Sequence, residues 1–411
     1  MRFLIVTQYF PPEIGAPQVR LSAVAKALVA RGHEVEIATG MPNHPTGTIF
    51  PEYRRKFYLK EEWRGCEVHR VWLYAALGAG FRRILNYLSF AALVMFPLFR
   101  VRKPDVILVE SPPPFVMAPV VLFNLFWRAR LVLNVADLWP DSITELGLMR
   151  EGLVTRILRR FELWCYRHAD NINAITNGIE ESLIVNKGVP KSKVLFFPNG
   201  ADTTVFTPSL RDTKIASDLG LEGKHLILYA GTIGYAHGLD VALHAMANIG
   251  ARVPSAYLII IGDGSERERL TQAAKELDLN NVSFLPAKPP EYIARLYSVA
   301  TAGLACLRPL PFFEGARSSK IFPIMSSGKP VVYSGAGEGA RLVLEAQAGI
   351  VTTPGDSEAL SEAFVVLITD RKKAEEYGRN GRDYIVKNLG WETIIDRWLL
   401  ELASKPTTSG A

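Results

Sequence analysis

The chain has 411 residues, which is too long for one ordinary domain, so two domains are expected. Its residues are 48% hydrophobic and 21% charged, a composition that argues against disorder. Its three cysteines (Cys66, Cys165 and Cys306) are odd in number and widely spaced, which excludes a disulfide framework and a cysteine-built metal cluster. The N-terminal MRFLIV runs directly into a strand-like pattern, so no signal peptide is predicted and a cytoplasmic location is expected.

Positive charge is concentrated in the first half of the chain. Residues 1–203 carry 25 Lys and Arg against 18 Asp and Glu, whereas the remainder carries 22 against 23. This asymmetry predicts an anionic surface partner for the first half. No lysine–arginine run interleaved with aromatic residues and no recognition motif is present, so a membrane surface is favoured over nucleic acid.

Short apolar strands alternate with helical patterns along the first half. The predicted strands are 3–7, 34–39, 67–72, 105–110, 131–135, 171–176 and 193–197. A helix is predicted between 17 and 31 and ends at Gly32. Such alternation is typical of βαβ units around a buried parallel sheet.

Two apolar stretches, 88–99 and 115–127, are bordered by arginines. Both are shorter than the roughly 18 residues that a spanning helix needs. One interpretation is buried core helices capped by basic residues, and the other is a membrane-facing surface that dips into the headgroup layer. The segment 153–168 adds a basic amphipathic face, which suits anionic lipid.

A turn-rich segment over 198–208 separates this series from a second one. The second series of predicted strands is 226–230, 256–262, 281–286, 301–306, 329–334 and 349–353. The predicted fold class is therefore α/β, with two Rossmann-like doubly wound domains facing across a cleft. The predicted domains are 1–200 and 201–390, with a helix over 391–403 returning to the first domain, and ligands are expected at the strand carboxyl ends.

Loops after the predicted strands of the first domain carry candidate polar groups. The first loop passes through Gly15 and is either a phosphate-binding loop at a helix start or a plain strand–helix turn. Arg20 lies one turn further, facing either the cleft or solvent. His44, in the loop MPNHPTG, could position or deprotonate an acceptor hydroxyl, or be a surface turn residue. Asp137 and Asp141 follow the strand 131–135 and are either site carboxylates or helix caps and turn formers.

Two glycine-rich loops of the second domain resemble phosphate cradles. Gly231, Gly234 and Gly238 follow one strand, and Gly262 with Gly264 follows the next, although ordinary strand–helix turns also use glycine.

A lysine occupies the start of a further predicted helix in the second domain. The helix is expected to begin at Arg317 or Ser318, with Ser318 or Ser319 as its cap and Lys320 in the first turn. A cation is unfavourable at that end of a helix, so an anion such as a diphosphate is expected beside Lys320, unless the lysine is solvated.

Together these motifs resemble glycosyltransferase family 4, of the GT-B fold. The resemblance covers nearly the whole chain, through RGHEV, PNGADTTVFTP, YAGTIGYAHGLD, IIGDGSERERL and SSKIFPIMSSGKPVV. Within the family, PNHPTG, NYLSF, ESPPP and DLWPDS resemble the branch that builds bacterial surface polysaccharides (lipopolysaccharide, O-antigen or capsule), including L-fucosamine-type transferases.

This resemblance implies a retaining enzyme without a metal or other cofactor. A nucleotide-diphosphate sugar would occupy the second domain, with its diphosphate near the Gly15 loop, and a polyprenyl-diphosphate-linked saccharide would bind the first. The enzyme would then be peripheral on the inner face of the cytoplasmic membrane. The implied donor-binding residues are Gly15, Gly231, Thr232, His237, Gly238, Gly262, Leu285, Glu314 and Ser319. The acceptor-binding candidates are Arg20 and His44, and the catalytic candidates are Asp137 and Lys320.

The sequence departs from the family pattern at four positions. Thr232 and His237 stand where an arginine and a lysine usually bind phosphate, Pro323 stands where a second glutamate is usual, and Asp137 replaces a common histidine. Two alternatives therefore stay open: a sugar-nucleotide epimerase or hydrolase of the same fold, and a non-catalytic donor-binding partner. A nicotinamide dehydrogenase is disfavoured, because GxGxxG with a following acidic residue is missing.

Overall fold

The computed structural model describes residues 1–13, 15–44, 46–76, 81–145, 149–250 and 252–405. The chain divides into two units. The first unit consists of Met1–Pro198 and the chain from Ile394 onward, and the second consists of Asn199–Thr393.

The first unit is built on one sheet in the part described. Its strands are β1 (Arg2–Val6), β2 (Glu34–Gly40), β3 (Tyr58–Trp63), β4 (Cys66–Val71), β5 (Val106–Ser111), β6 (Arg130–Val135), β7 (Asn171–Ala174) and β8 (Val194–Phe196). Its helices up to this point are α1 (Ala16–Ala30), α2 (Phe81–Leu93), α3 (Met95–Leu98), α4 (Met117–Trp127), α5 (Asp141–Glu145), α6 (Leu153–His168) and α7 (Asn177–Glu181).

The eight strands are ordered β3-β4-β2-β1-β5-β6-β7-β8. All neighbours pair in parallel except β3, which is antiparallel to β4. The order reverses between β1 and β5, the position where open parallel sheets place ligands at the strand carboxyl ends. The sequence therefore delivers the loops after β1, β2, β5 and β6 to one edge of this sheet.

The edge strand β3 is missing from the sequence prediction. Its residues, YLKEEW, include three charged side chains and are half-buried or exposed, so no apolar run marks them. An edge strand is paired along one side and needs less apolar surface than the buried strands next to it.

A C-terminal helix completes the first unit. This helix, α16 (Trp391–Ser404), lies beyond the second unit in sequence, and from Ile394 it belongs to the first. Its Trp398 is buried, donates from Nε1 to Oδ1 of Asn173 at 3.0 Å, and packs against Phe197 with ring centroids 5.2 Å apart. Burial of a tryptophan with its N–H satisfied anchors the helix to the β7 side of the sheet.

The second unit is built on a six-stranded sheet in the part described. Its strands are β9 (His225–Ala230), β10 (Ala256–Ile261), β11 (Val282–Leu285), β12 (Ala300–Cys306), β13 (Val331–Ser334) and β14 (Gly349–Thr352). Its helices are α8 (Thr213–Asp218), α9 (Asp240–Ile249), α10 (Arg267–Glu276), α11 (Pro290–Val299), α12 (Ile321–Ser326), α13 (Gly337–Glu345), α14 (Ser357–Thr369) and α15 (Arg371–Tyr384).

This sheet is fully parallel, with the order β11-β10-β9-β12-β13-β14. Its strands coincide closely with the predicted second series, because parallel strands buried on both faces are continuous apolar runs. The order reverses between β9 and β12, so the loops after these two strands meet at a ligand-binding position. The predicted α/β class with two doubly wound sheets is confirmed.

The two apolar stretches of the first unit form α2 to α4, and each has a buried and an exposed face. Phe90, Val94 and Leu98 are buried in the core of the first unit. The run Phe81–Leu98 is long and apolar enough to cross a membrane by composition, and 39% of it is buried in the protein. These helices are therefore core on one side and apolar surface on the other, and the membrane interpretation stays a prediction.

Candidate active site

The glycine-rich loops after β9 and β10 pack directly against each other. Gly262 has φ 149°, and a Cβ on it would lie 1.9 Å from the carbonyl oxygen of Gly231. Gly231 has φ 141°, and a Cβ on it would lie 2.8 Å from Cε of Lys320. Glycine is thus required at both positions, because a side chain would push apart the two strand ends or displace the lysine.

Lys320 lies in the second unit, immediately before α12. The expected helix start at Arg317 or Ser318 is wrong: α12 begins at Ile321, Lys320 occupies the N-cap position, and no side chain caps the helix. A 3₁₀ turn over Pro311–Gly315 ends at the extended Ala316, so Ser318 and Ser319 precede α12 rather than open it. The solvated alternative for Lys320 is also wrong, since the residue is only 6% exposed.

The ammonium group of Lys320 meets a histidine and a tyrosine ring. Its Nζ lies 3.1 Å from Nε2 of His237 and 5.2 Å from the ring centroid of Tyr229. No carboxylate is among its contacts with the described residues. Because a buried cation without a counter-charge is costly, its burial lowers the pKa of Lys320 to about 8.

His237 is held neutral and in one tautomer. Burial, followed by the charge of Lys320, lowers the pKa of His237 to about 3. Its Nδ1 lies 3.4 Å from the carbonyl oxygen of Cys306 and donates to it, so that Nε2 is free to accept from Lys320. The histidine therefore orients the ammonium group without neutralising it.

The other predicted donor residues of the second unit differ in how close they lie to the contact between Gly231 and Lys320. Leu285 accepts the Gly262 N–H at 3.1 Å, and the Thr232 carbonyl accepts the Tyr229 hydroxyl at 2.6 Å, so both adjoin the Gly231–Lys320 contact. Gly238 is left-handed, with φ 54°. Glu314 and Ser319, by contrast, are exposed, and no contact within the described residues joins either of them to Lys320.

Sequence reasoning missed Tyr229 and Arg308, and it gave Ser318 only the role of a possible helix cap. Tyr229 lies in the predicted strand LILYA, where its apolar neighbours indicate a core position rather than a site. Arg308 follows β12, donates from Nε to the Tyr235 carbonyl at 2.6 Å and stacks on the Tyr235 ring. Ser318 is buried, and its Oγ makes no hydrogen bond in the described structure. Only the position of Arg308 at a strand carboxyl end could have indicated a role.

In the first unit, Glu13 joins the loop of the predicted donor residue Gly15 to the loop of the predicted acceptor residue His44. Its carboxylate accepts backbone N–H groups from Phe10 at 3.1 Å and from Asn43 and His44 at 2.8 Å each. Burial outweighs these hydrogen bonds and raises the pKa of Glu13 to about 7. Glu13 itself was not singled out in the sequence, because a single carboxylate in a proline-rich loop has no distinctive pattern.

Arg20 is not a surface residue, which corrects one of its two predicted orientations. It is 2% exposed and forms an ion pair with the buried Glu110 of β5, which also accepts from Asn134 at 2.8 Å. The solvent-facing orientation is therefore wrong, whereas the acceptor-binding role of Arg20 stays a prediction. Gly15 precedes α1 in an extended conformation, and its carbonyl accepts the Val19 N–H at 3.0 Å.

The two aspartates after β6 have different environments. Asp141 forms ion pairs with Arg159, at 2.7 Å, and with Lys187, which together lower its pKa against the effect of burial. Asp137 accepts from Ser142 Oγ at 2.8 Å, and burial raises its pKa. Asp141 is therefore a structural ion-pair residue, and Asp137 stays a predicted site carboxylate.

Family models match most of the chain in two consecutive segments. A glycosyl transferase 4-like domain model matches residues 15–200, and a glycosyl transferases group 1 model matches residues 211–384. The chain is a family 4 glycosyltransferase.

Relatives and solved structures match this glycosyltransferase over nearly its full length. The putative colanic acid biosynthesis glycosyl transferase WcaI of Escherichia coli is 26% identical, over 98% of this chain and 100% of that protein. Sucrose-phosphate synthase of Thermosynechococcus elongatus has a TM-score of 0.75 at 18% identity, over 98% of each chain. Anabaena HepE, solved with UDP, has a TM-score of 0.72 at 20% identity, over 98% of this chain and 100% of that one. These structures establish the GT-B fold.

The glycosyltransferase lacks charged side chains at positions of the second unit where the family pattern has them. His237 stands at the position of an expected lysine and receives the Lys320 ammonium instead of supplying a second one. Pro323, at the expected position of a glutamate, lies inside α12. Of the second-unit positions at which the family pattern was compared, Lys320 is the one that carries a cation able to bind phosphate.

Proposed function

We propose that this glycosyltransferase moves a sugar, with retention of anomeric configuration, from a nucleotide-diphosphate sugar to a polyprenyl-diphosphate-linked saccharide. The setting would be bacterial surface polysaccharide synthesis at the cytoplasmic face of the membrane. The second unit would hold the donor, and no metal would be required.

The buried ammonium group of Lys320 carries this proposal. It has a neutral histidine and an aromatic ring as neighbours but no carboxylate among the described residues. A diphosphate would supply the missing negative charge and restore the lysine's ordinary protonation. The unpartnered Ser318 Oγ, two residues away in sequence, would offer a further donor to the same anion.

The transfer would break the bond between the anomeric carbon and the phosphate oxygen, whose electron pair leaves with the nucleoside diphosphate. The acceptor oxygen would bond to the anomeric carbon, and its proton would pass to a phosphate oxygen of the leaving group. Lys320 would stabilise the charge that develops on the phosphate, which in comparable sites contributes about 10²–10³ in rate. Asp137 or His44 would orient the acceptor hydroxyl.

An apolar and basic surface of the first unit supports a lipid-linked acceptor. α2 contacts α4, and α4 contacts α6, so their outer faces are neighbours. Exposed apolar side chains on these helices are Phe81, Leu85, Leu88, Leu122, Leu125, Phe126, Leu153, Val154 and Ile157. Exposed arginines beside them are Arg82, Arg128, Arg156 and Arg160. We name this set the α2–α4–α6 surface; its combination of apolar and cationic groups suits an anionic membrane.

The direct experiment compares the wild-type enzyme with Lys320→Met. Purified enzyme would be incubated with UDP-, GDP- and dTDP-sugars and a polyprenyl-diphosphate-linked saccharide, and the lengthened product measured. We expect a fall of about 10²–10³ in turnover. Because methionine fills a similar volume without the buried charge, the melting temperature should not decrease. Lys275→Ala, at an exposed site on α10, serves as the matched control and should retain activity.

Wild-type turnover in Lys320→Met would overturn the proposal. Conversion of the donor without an acceptor would instead favour an epimerase or hydrolase. Tight donor binding with no turnover on any acceptor would favour a non-catalytic donor-binding partner.

A further inference from the structure

A histidine and two glutamates in the first unit converge on one point, at the amino-terminal side of the sheet. Nε2 of His69 lies 2.9 Å from Oε1 of Glu67 and 3.4 Å from Oε2 of Glu36. Their candidate ligand atoms all lie within 4.8 Å of one another. We infer that Glu36, Glu67 and His69 bind a divalent transition-metal ion of the zinc class, which stabilises the edge of this sheet.

The strand register places all three side chains on the same face. Glu67 and His69 are two residues apart on β4, so they point to the same side of the sheet. Glu36 of β2 is the direct neighbour of Glu67 in the parallel pairing. The site is therefore fixed by backbone pairing and does not depend on a mobile loop.

The imidazole of His69 is enclosed and aimed between the carboxylates. It is 1% exposed, and its Nε2 makes no hydrogen bond in the described structure despite the nearby oxygens. The other ring nitrogen, Nδ1, lies 2.7 Å from the Tyr58 hydroxyl. Metal-binding histidines are typically held in this way, with the second nitrogen occupied by an outer hydrogen-bond partner.

The two distances from His69 to the carboxylates are close to those of a tetrahedral zinc site. Zinc binds imidazole nitrogen and carboxylate oxygen at about 2.0–2.2 Å, so neighbouring ligand atoms are roughly 3.3–3.5 Å apart. The His69–Glu36 distance falls in this range, and the His69–Glu67 distance is slightly shorter. Water would complete the fourth position.

The local charge also favours a cation. Lys60 pairs with Oε2 of Glu67 at 2.7 Å, which leaves Oε1 of that carboxylate facing His69. On the neighbouring edge strand, Glu62 pairs with Glu67 in the register, and directly opposed carboxylates repel. One ammonium group thus faces three carboxylates on this strip of β2, β4 and β3, and a divalent ion would offset the remaining charge.

The test uses the full chain after removal of metal with a chelator. Addition of Co²⁺ should give the visible absorption of a four-coordinate site at one ion per chain, and Zn²⁺ should displace it. Zn²⁺ should also raise the melting temperature in a concentration-dependent way, because it would bind the folded chain only. Neither readout depends on transferase activity.

Three variants and one control make the test specific. Glu67→Gln, at a partly exposed position that tolerates an isosteric amide, and His69→Gln should each abolish the Co²⁺ band. Tyr58→Phe should retain the band but weaken affinity about 10–100-fold, because only the outer partner is lost. His168→Gln, at an exposed histidine on α6, should behave as wild type.

Two results would overturn the inference. One is the absence of a Co²⁺ band and of any Zn²⁺-dependent stabilisation in the wild type, which would leave Glu36, Glu67 and His69 as a polar cluster without a metal. The other is metal binding that survives unchanged in both Glu67→Gln and His69→Gln, which would place the ion elsewhere.

Discussion

At the scale of single residues, the chemistry of the second unit depends on how burial sets the charges around Lys320. Burial holds the pKa of His237 at about 3 and raises the pKa of Cys306 to about 12. Burial also raises the pKa of Tyr229 above its ordinary value. Of these neighbouring groups, Lys320, with a pKa of about 8, is the one that titrates near physiological pH.

This predicts a pH dependence of donor binding. Above pH 8 the free enzyme loses the Lys320 proton, so affinity for a nucleotide diphosphate should fall by up to about tenfold per pH unit. Isothermal titration calorimetry with a nucleotide diphosphate from pH 6 to pH 10 would measure this fall in affinity. Lys320→Arg keeps its charge throughout this range and should bind with a flat profile. An equally steep profile in that variant would assign the titration to another group.

The lowered pKa of Lys320 also makes the free energy of unfolding depend on pH, with a trend opposite to that of donor affinity. Between pH 8 and the ordinary lysine value of 10.5, the unfolded chain binds the proton more strongly than the folded chain. The contribution of Lys320 to the free energy of unfolding therefore rises with pH in this window, while donor affinity falls. These opposed trends are expected when burial disfavours the charged form of a lysine and a bound anion favours it.

At the scale of secondary-structure elements, Glu13 connects the loop after β1 to the loop after β2. Its buried carboxylate holds the backbone at Asn43 and His44 in place. The two loops were predicted separately, and nothing in either sequence indicates that one acidic side chain fixes both. The contact exists because β1 and β2 are neighbours, which brings their carboxyl ends together.

Glu13 should make a measurable contribution to the pH dependence of stability. Its pKa is raised from 4.5 to about 7 on folding, so its contribution to the free energy of unfolding is largest at low pH and is lost as pH rises through 7. Glu13→Gln removes this titration. From pH 5 to pH 8 the variant should gain up to about 3 kcal/mol relative to wild type in urea denaturation. A pH-independent difference would contradict the assignment.

At the scale of the whole molecule, the excess positive charge lies on the first unit, together with the α2–α4–α6 surface. The α2–α4–α6 surface exposes Phe126 by 79%, next to the exposed Arg128. The membrane interpretation of the apolar stretches rests on this surface.

Binding to vesicles tests that interpretation. The wild type should co-sediment with phosphatidylglycerol-containing vesicles, and more weakly at high salt because the arginines are screened. Phe126→Ser should reduce binding by about tenfold, since one large apolar side chain is lost. The matched control is Leu210→Ser in the second unit, a residue 95% exposed. Equal loss in both variants, or no binding by the wild type, would count against the surface.

The sequence by itself determined the two α/β sheets, the strand ends and the glycine loops, because apolar periodicity and turn residues act over a few neighbouring positions. Tertiary structure alone decided that Lys320 meets His237, that Arg20 pairs with Glu110, and that His69 meets Glu36. These partners lie far apart in sequence and are joined by strand order and register. Whether a charged side chain has a partner depends on that order, and so the sequence could suggest a lysine for the site but not that it is buried without a carboxylate.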